Sequence, residues 1–188
     1  MSIHAMFVQV EEEELVAIIR DPARAEDLFL DYAASTPVLS GATTAAERRI
    51  GSPDRASVGV TMSIEKAWHG VHFLLCGELE PGDSPLSQAV LGGMELEDDP
   101  NGALEYGPAR FFTGIRVAEI AEELQAAEPR ARRRFDPWEM SRMRVYPSSG
   151  EVRWNESDLE WVMDGFHQLR DFYRDAARNR RAVVTCLV

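Results

Sequence analysis

Two of the four histidines and one of the two cysteines fall within a single short stretch, Lys66 to Glu78, which reads KAWHGVHFLLCGE. On a helix His69, His72 and Cys76 stand at i, i+3 and i+7, so all three project from one side. Two imidazoles and a thiolate form a ligand set that zinc or copper accepts. Against a metal, no HExxH is present, no carboxylate lies between the histidines, and nothing nominates a fourth ligand. Ile64, Trp68, Val71 and Leu75 make an apolar stripe beside them. The expectation is therefore a core helix with one notable histidine, His72, and with no metal and no cofactor.

A cysteine nucleophile fares no better. His72 lies four residues before Cys76, close enough for a thiolate pair. Cys76 sits near a helix C-terminus, however, where the helix dipole raises a thiol's pKa. There is no Walker loop and no GxSxG, and Gly92-Gly93 alone says little about phosphate. What remains is a ligand-binding or acid–base group formed by Trp68, His72, Tyr106, Arg110 and Tyr146. A histidine base, a tyrosine and an arginine would suffice for proton transfer on an anionic small molecule. That chemistry requires the five side chains to converge in one pocket.

The elements that must position them are mostly helices. Ile3 to Val10 reads as a strand, and the glutamates after it open the helix EEEELVAIIRD, their charge favouring its N-terminus. Asp21-Pro22 ends that helix, and a second is expected from Ala23 to Ala33. Residues 35–57 are rich in Gly, Pro, Ser and Thr, a flexible surface loop that is either a plain insertion or a lid. Ser63 is expected to cap the histidine helix and Gly77 to close it. Ser84-Pro85 starts the next helix, stopped by Gly92-Gly93. Ala103 to Phe112 reads as two strand-like pieces around a Gly-Pro turn.

Thr113 is expected to cap a helix that Pro129 closes, and a short helix follows from Pro137 to about Arg142. In the last helix Asn155 and Asp158 resemble a capping box. Leu159, Val162, Met163, Phe166, Leu169 and Tyr173 fall on one face and Trp161, Gly165 and Phe172 on another, the pattern of either a helix covered on both sides, the favoured reading, or a partner surface. Arg170, Arg174, Arg178 and Arg181 form a basic ridge. The β-branched end RAVVTCLV is a terminal strand. The fold class is α+β: one helix-rich domain, residues 1–188, with a small sheet in which the N- and C-terminal strands lie side by side.

At 188 residues the chain can bury roughly 70% of its unfolded surface without disulfide or metal. No apolar run approaches a membrane span, the N-terminus lacks a signal peptide, and two cysteines make no disulfide framework. A cytoplasmic protein is expected. The net charge of −12 argues against general nucleic-acid binding. The arginine run from Arg130 to Arg144 is either paired with acids or a patch for anions.

Several quoted pieces, in order along the chain, carry a resemblance: KAWHGVHFLLCG, SPLSQAVLGG, YGPARFF leading into VAEIAEEL, RFDPWEM with VYP, and LEWVMDGFHQLRDFYRDAA followed by AVV. Together they resemble the YfbM-like family, bacterial domains of unknown function. Trp68 and His72 match that family's pattern. Cys76 stands where it has a threonine, which removes the third ligand from the metal triad, and TGIRV replaces its Thr-Pro-acidic helix start. The resemblance implies a compact α+β domain in the bacterial cytoplasm and supplies no reaction. Function is accordingly read as unknown. The favoured reading is a non-enzymatic binding protein, monomer or homodimer, for a protein partner or a small anionic ligand, with an immunity or antitoxin-like role as one form. The alternative is an enzyme using His72 as acid or base on an anionic substrate.

Overall fold

The computed structural model describes residues 2–25, 28–29, 58–96, 106–149 and 152–188, so the loop expected over 35–57 lies outside them. Inside the sheet, with a neighbour on each edge, is β1 (Ala5–Val10), buried along its whole length. It pairs antiparallel with β5 (Ala182–Leu187) in unbroken register, from Ala5↔Leu187 to Val10↔Ala182. The two terminal strands are therefore neighbours, as expected. On the other side of β1 runs β2 (Val58–Glu65), and beyond β5 lie β4 (Arg110–Phe112) and β3 (Met94–Glu95). The order is β2-β1-β5-β4-β3, with every pairing antiparallel.

Alternation along the strands divides the core in two. Met6, Val8, Val10, Phe111, Val184 and Cys186 face α1 (Glu12–Arg20), which inserts Leu15 and Ile18. Residues 23–25 and 28–29 are also helical and add Ala25, Leu28 and Phe29 to that layer. Ala5, Phe7, Phe112 and Val183 face the other helices: α2 (Trp68–Cys76), α3 (Pro85–Leu91), α4 (Gly114–Arg134) and α6 (Asp158–Arg178). The short α5 (Pro137–Arg142) joins α4 to the segment before α6.

Three expected helix ends are corrected. Ser63 does not cap α2; it lies inside β2, where its hydroxyl accepts the Glu65 N–H at 3.1 Å. The alternating, β-branched stretch VGVTMSIE favours an extended chain, and α2 begins only at Trp68. Thr113 occupies the cap position of α4 without a side-chain bond, and Glu12 accepts the Gly114 N–H instead, at 2.9 Å. Pro129 does not close α4. It is exposed, so water can reach the backbone carbonyl it leaves unbonded, while Ala127 and Ala131 stay buried against the core and hold the helix on course. By contrast Gly77 closes α2 in the left-handed region, at φ 82°, and Ser84 caps α3 by accepting the Ser87 N–H.

Candidate functional site

Nearly every residue of α2 is buried: Trp68, Gly70, Val71, His72, Phe73, Leu74 and Leu75. A helix apolar all round is a core helix, and its close seating depends on a glycine. A Cβ on Gly165 of α6 would stand 3.1 Å from Val71 and 3.2 Å from Ala67. At the start of α2 the Trp68 ring is stacked with His69 (centroids 4.8 Å apart) and with Tyr146 (5.5 Å). Backbone polarity completes the group. Trp68 Nε1–H donates to the Ile3 carbonyl (3.1 Å), the Ile3 N–H donates to the Tyr146 hydroxyl (3.0 Å), and the Tyr146 N–H donates to His69 Nδ1 (2.9 Å).

That last bond fixes the His69 tautomer. With Nδ1 accepting, the ring proton sits on Nε2, which is buried and has no hydrogen-bond partner. His72 is fully buried, 0% exposed, with Nε2 3.4 Å from the Cys76 sulfur and Nδ1 unpartnered. Burial lowers the pKa of both rings. For His72 it acts together with His69 and against the Glu80 carbonyl, and brings the value down to about 4. For His69 the Leu79 carbonyl and then Glu80 oppose the lowering. Burial also raises the Cys76 thiol, against the Glu78 carbonyl and Arg134. Base lowered and acid raised, the pair rests as neutral thiol and neutral imidazole, and the proton stays on sulfur. The thiol donates to the His72 carbonyl at 3.2 Å, as an ordinary helical cysteine does.

A cleft of about 540 Å³ opens beside this group, lined by Cys76, Leu79, Pro81 and Met143 with the carboxylate residues Glu78, Glu80 and Asp83 and the hydroxyls of Ser84 and Ser87. His72 does not line it. Among the described residues no group of three or more His, Cys, Asp or Glu is placed to hold a metal.

Of the five residues singled out in the sequence, the structure brings Trp68, His72 and Tyr146 to one place, with His69 linking them. His69 was legible as the neighbour of Trp68 and the i−3 partner of His72. Arg110 is elsewhere, committed to Glu95 and to the Gly93 carbonyl at the β3–β4 edge. Tyr106 is half-buried in the turn before β4 and makes no hydrogen bond or ring contact among the described residues. The pocket that acid–base chemistry requires is therefore not formed: His72 is fully buried and does not line the cleft, and Arg110 is held at the β3–β4 edge.

A second region, around Trp154, gathers more exposed apolar surface. Trp154 is buried, donates Nε1–H to the Val145 carbonyl (2.8 Å) and donates its backbone N–H to Ser141 Oγ (3.0 Å). Phe135 meets its ring edge-on, and Trp161 of α6 stacks on it at 5.7 Å with 39% of its own surface exposed. Trp138 on α5 is 72% exposed, and among the described residues its ring contact is the Arg142 guanidinium at 5.8 Å. Asp136 holds α5 in place by accepting the N–H groups of Trp138 and Glu139. Sequence reading placed α5 correctly but attached no role to Trp138; the signal was Arg142 at i+4, a spacing that sets a cation over a ring.

Three of the six arginines in the run from Arg130 to Arg144 are engaged within the molecule. Arg132 pairs with Glu128 and Glu160, Arg134 donates to the Leu74 carbonyl, and Arg142 pairs with Glu139. On the α6 ridge Arg170 pairs with Glu128 and Asp171, Arg174 with Asp171, and Arg181 with Glu11. Arg130, Arg133, Arg144 and Arg153 are exposed and have no acidic partner among the described residues.

Comparison with known proteins agrees with this picture of a fold without a recognised reaction. The family described as a domain of unknown function (DUF1877) matches residues 1–186. Among solved structures the chain is similar to one titled a protein of unknown function, YfbM from Escherichia coli, at 21% identity and a TM-score of 0.67, covering 98% of this chain and 99% of that one. No curated protein matches. Among the described residues no helix is long and apolar enough to cross a membrane. The chain belongs to the DUF1877 family.

Proposed function

We propose that this member of a family of unknown function is a non-enzymatic interaction protein of the bacterial cytoplasm, and that it docks a protein partner through the end of the molecule where α5 meets the start of α6. The observation that carries the reading is Trp138. A tryptophan 72% exposed, fixed on a capped helix with an arginine over its ring, presents a large rigid apolar surface to whatever approaches. Trp161 on its buried platform adds a second such surface, and tryptophan and arginine are the residues that most often anchor interfaces.

The enzyme reading finds less support. His72 is sealed, its pKa is far below neutrality, and Arg110 is committed to Glu95. A small anionic ligand in the cleft would meet Glu78, Glu80 and Asp83, three residues that repel it.

The test is co-purification from native cells of the tagged wild type against a Trp138→Ala, Trp161→Ala double variant. A partner recovered in stoichiometric amount with the wild type and lost with the folded variant is the expected result. Recovery of the same partner by both would rule out this end of the molecule as the docking site.

A further inference from the structure

We infer that one buried water molecule is bound between His69 and His72, tying the two imidazoles to the backbone of the segment that follows α2. The site is separate from the docking role proposed above and does not depend on it.

A donor, a lone pair and two carbonyls define it. His69 Nε2 carries the ring proton, because Nδ1 accepts the Tyr146 N–H, and that Nε2–H is buried without a partner. His72 Nδ1 is its complement. The Cys76 thiol gives its proton to the His72 carbonyl, so the neighbouring His72 Nε2 holds the ring proton against sulfur and a lone pair is left on Nδ1. This lone pair is also unpartnered, on a side chain 0% exposed. The Leu79 carbonyl lies near His69 and the Glu80 carbonyl near His72, close enough to favour a charged ring, yet neither bonds the free nitrogen.

Distance rules out direct pairing of the two rings, whose centroids are 6.3 Å apart. A ring nitrogen lies about 1.2 Å from its centroid, so even nitrogens that faced each other would stay beyond the ~3.2 Å of a direct hydrogen bond. One water spans the gap. It accepts the His69 Nε2–H, gives one proton to His72 Nδ1 and gives the other to a carbonyl of the Leu79–Glu80 segment, the three bonds usual for an internal water. The donor pattern excludes other small ligands. A metal ion needs a lone pair from each ring, and His69 has none left. An ammonium ion cannot accept the His69 proton, and an anion would set its own lone pair against that of His72. The cleft gives water its route, since Cys76, Leu79 and Glu80 form both its wall and the surroundings of the two rings.

A high-resolution crystal structure and histidine NMR on the unaltered chain test this together. The expected density is an isolated peak at ~2.7–3.2 Å from both His69 Nε2 and His72 Nδ1. In spectra of chain labelled with 15N-histidine near neutral pH, both rings should be Nε2–H tautomers. The His69 ring proton should show a cross-peak to water with the sign of a long-lived bound molecule, and His72→Phe should abolish it while leaving the Tyr146 amide shift in place. Where that variant does not fold, the wild-type measurements decide. Direct bonding of the free nitrogens to the Leu79 or Glu80 carbonyl, with no peak between the rings, overturns the inference, as does a His72 ring protonated on Nδ1. A cross-peak that survives in folded His72→Phe removes His72 from the site and overturns the bridge. Density running on from the peak into the cleft overturns water in favour of a hydroxyl of a larger ligand, and an anomalous signal overturns it in favour of a metal.

Discussion

Two tryptophans, seventy residues apart, are each paired with a nitrogen-bearing side chain, and they have opposite fates. Trp68 is stacked between His69 and Tyr146, its indole N–H bonded to Ile3, and the group is closed on itself. Trp138 has Arg142 over its ring and is 72% exposed. The first cluster has the residue types of an active site and behaves as core: its thiol and imidazoles are held neutral by burial. The second has the residue types of an ordinary amphipathic helix and leaves its largest apolar ring in water. Chemistry-bearing residues are therefore poor guides here, and exposure of a costly side chain is a better one.

The contrast breaks most visibly under truncation. Trp68→Ala removes a ring that packs and hydrogen-bonds inside the core, and is expected to lower stability by about 3–5 kcal/mol in urea unfolding. A loss below about 1 kcal/mol would mean the cluster is not part of the packed core.

Acid acts on the same cluster. His72 is neutral when folded, with a pKa of about 4, and takes up a proton near 6.5 when unfolded. The unfolded state binds more protons between those values, so stability is fully present above pH 6.5 and is lost as the pH falls toward 4. The gap corresponds to about 3 kcal/mol. Unfolding curves from pH 8 to 4 should show that slope, and His72→Phe should flatten most of it if the variant folds. An unchanged slope would assign the acid sensitivity to other groups.

Cys76→Thr installs the residue that the YfbM-like pattern carries at this position. Because the thiol is neutral and bonded to the His72 carbonyl, which a threonine hydroxyl can also reach, the expected change is within about 1 kcal/mol. Iodoacetamide at pH 7 should label Cys76 slowly in the folded wild type, consistent with a thiol raised by burial. Rapid labelling would show an activated thiolate and return the cluster to the list of reactive sites.

The smallest effect belongs to the open tryptophan. Trp138→Ala should change stability by no more than about 0.5 kcal/mol, since almost nothing packs against the ring. A larger loss would mean that Trp138 is structural and that its exposure does not mark an interface.

Much of the architecture was legible. The pairing of the terminal strands followed from two β-rich ends in a helix-rich chain, and α5 was visible from its proline start. The second apolar flank of α6 was read as covered or as a partner surface, and it divides: Gly165 and Phe172 are buried, while Trp161 is 39% exposed. β2 was missed because Ser63 resembles a helix cap, although Val58, Val60, Met62 and Ile64 alternate with the period of a strand. Pro129 misled because a proline's cost to a helix depends on exposure, a tertiary property. The candidate site was legible only in its local part. Trp68, His69 and His72 lie within one helix, whereas the approach of Tyr146 and the separation of Arg110 depend on how distant segments pack.

The register of the sheet has a consequence for how the chain is made. β1 finds β2 early, but its other neighbour is β5, and His4 and Val188 exchange backbone hydrogen bonds of 2.7 and 2.9 Å. During synthesis β1 keeps one edge bare until β5, more than 170 residues later in the chain, has left the ribosome. The pairings made by β5 are thus the last of the sheet to close. A ribosome stalled before Ala182 would hold a nascent chain whose β1 edge is open to any strand that reaches it first.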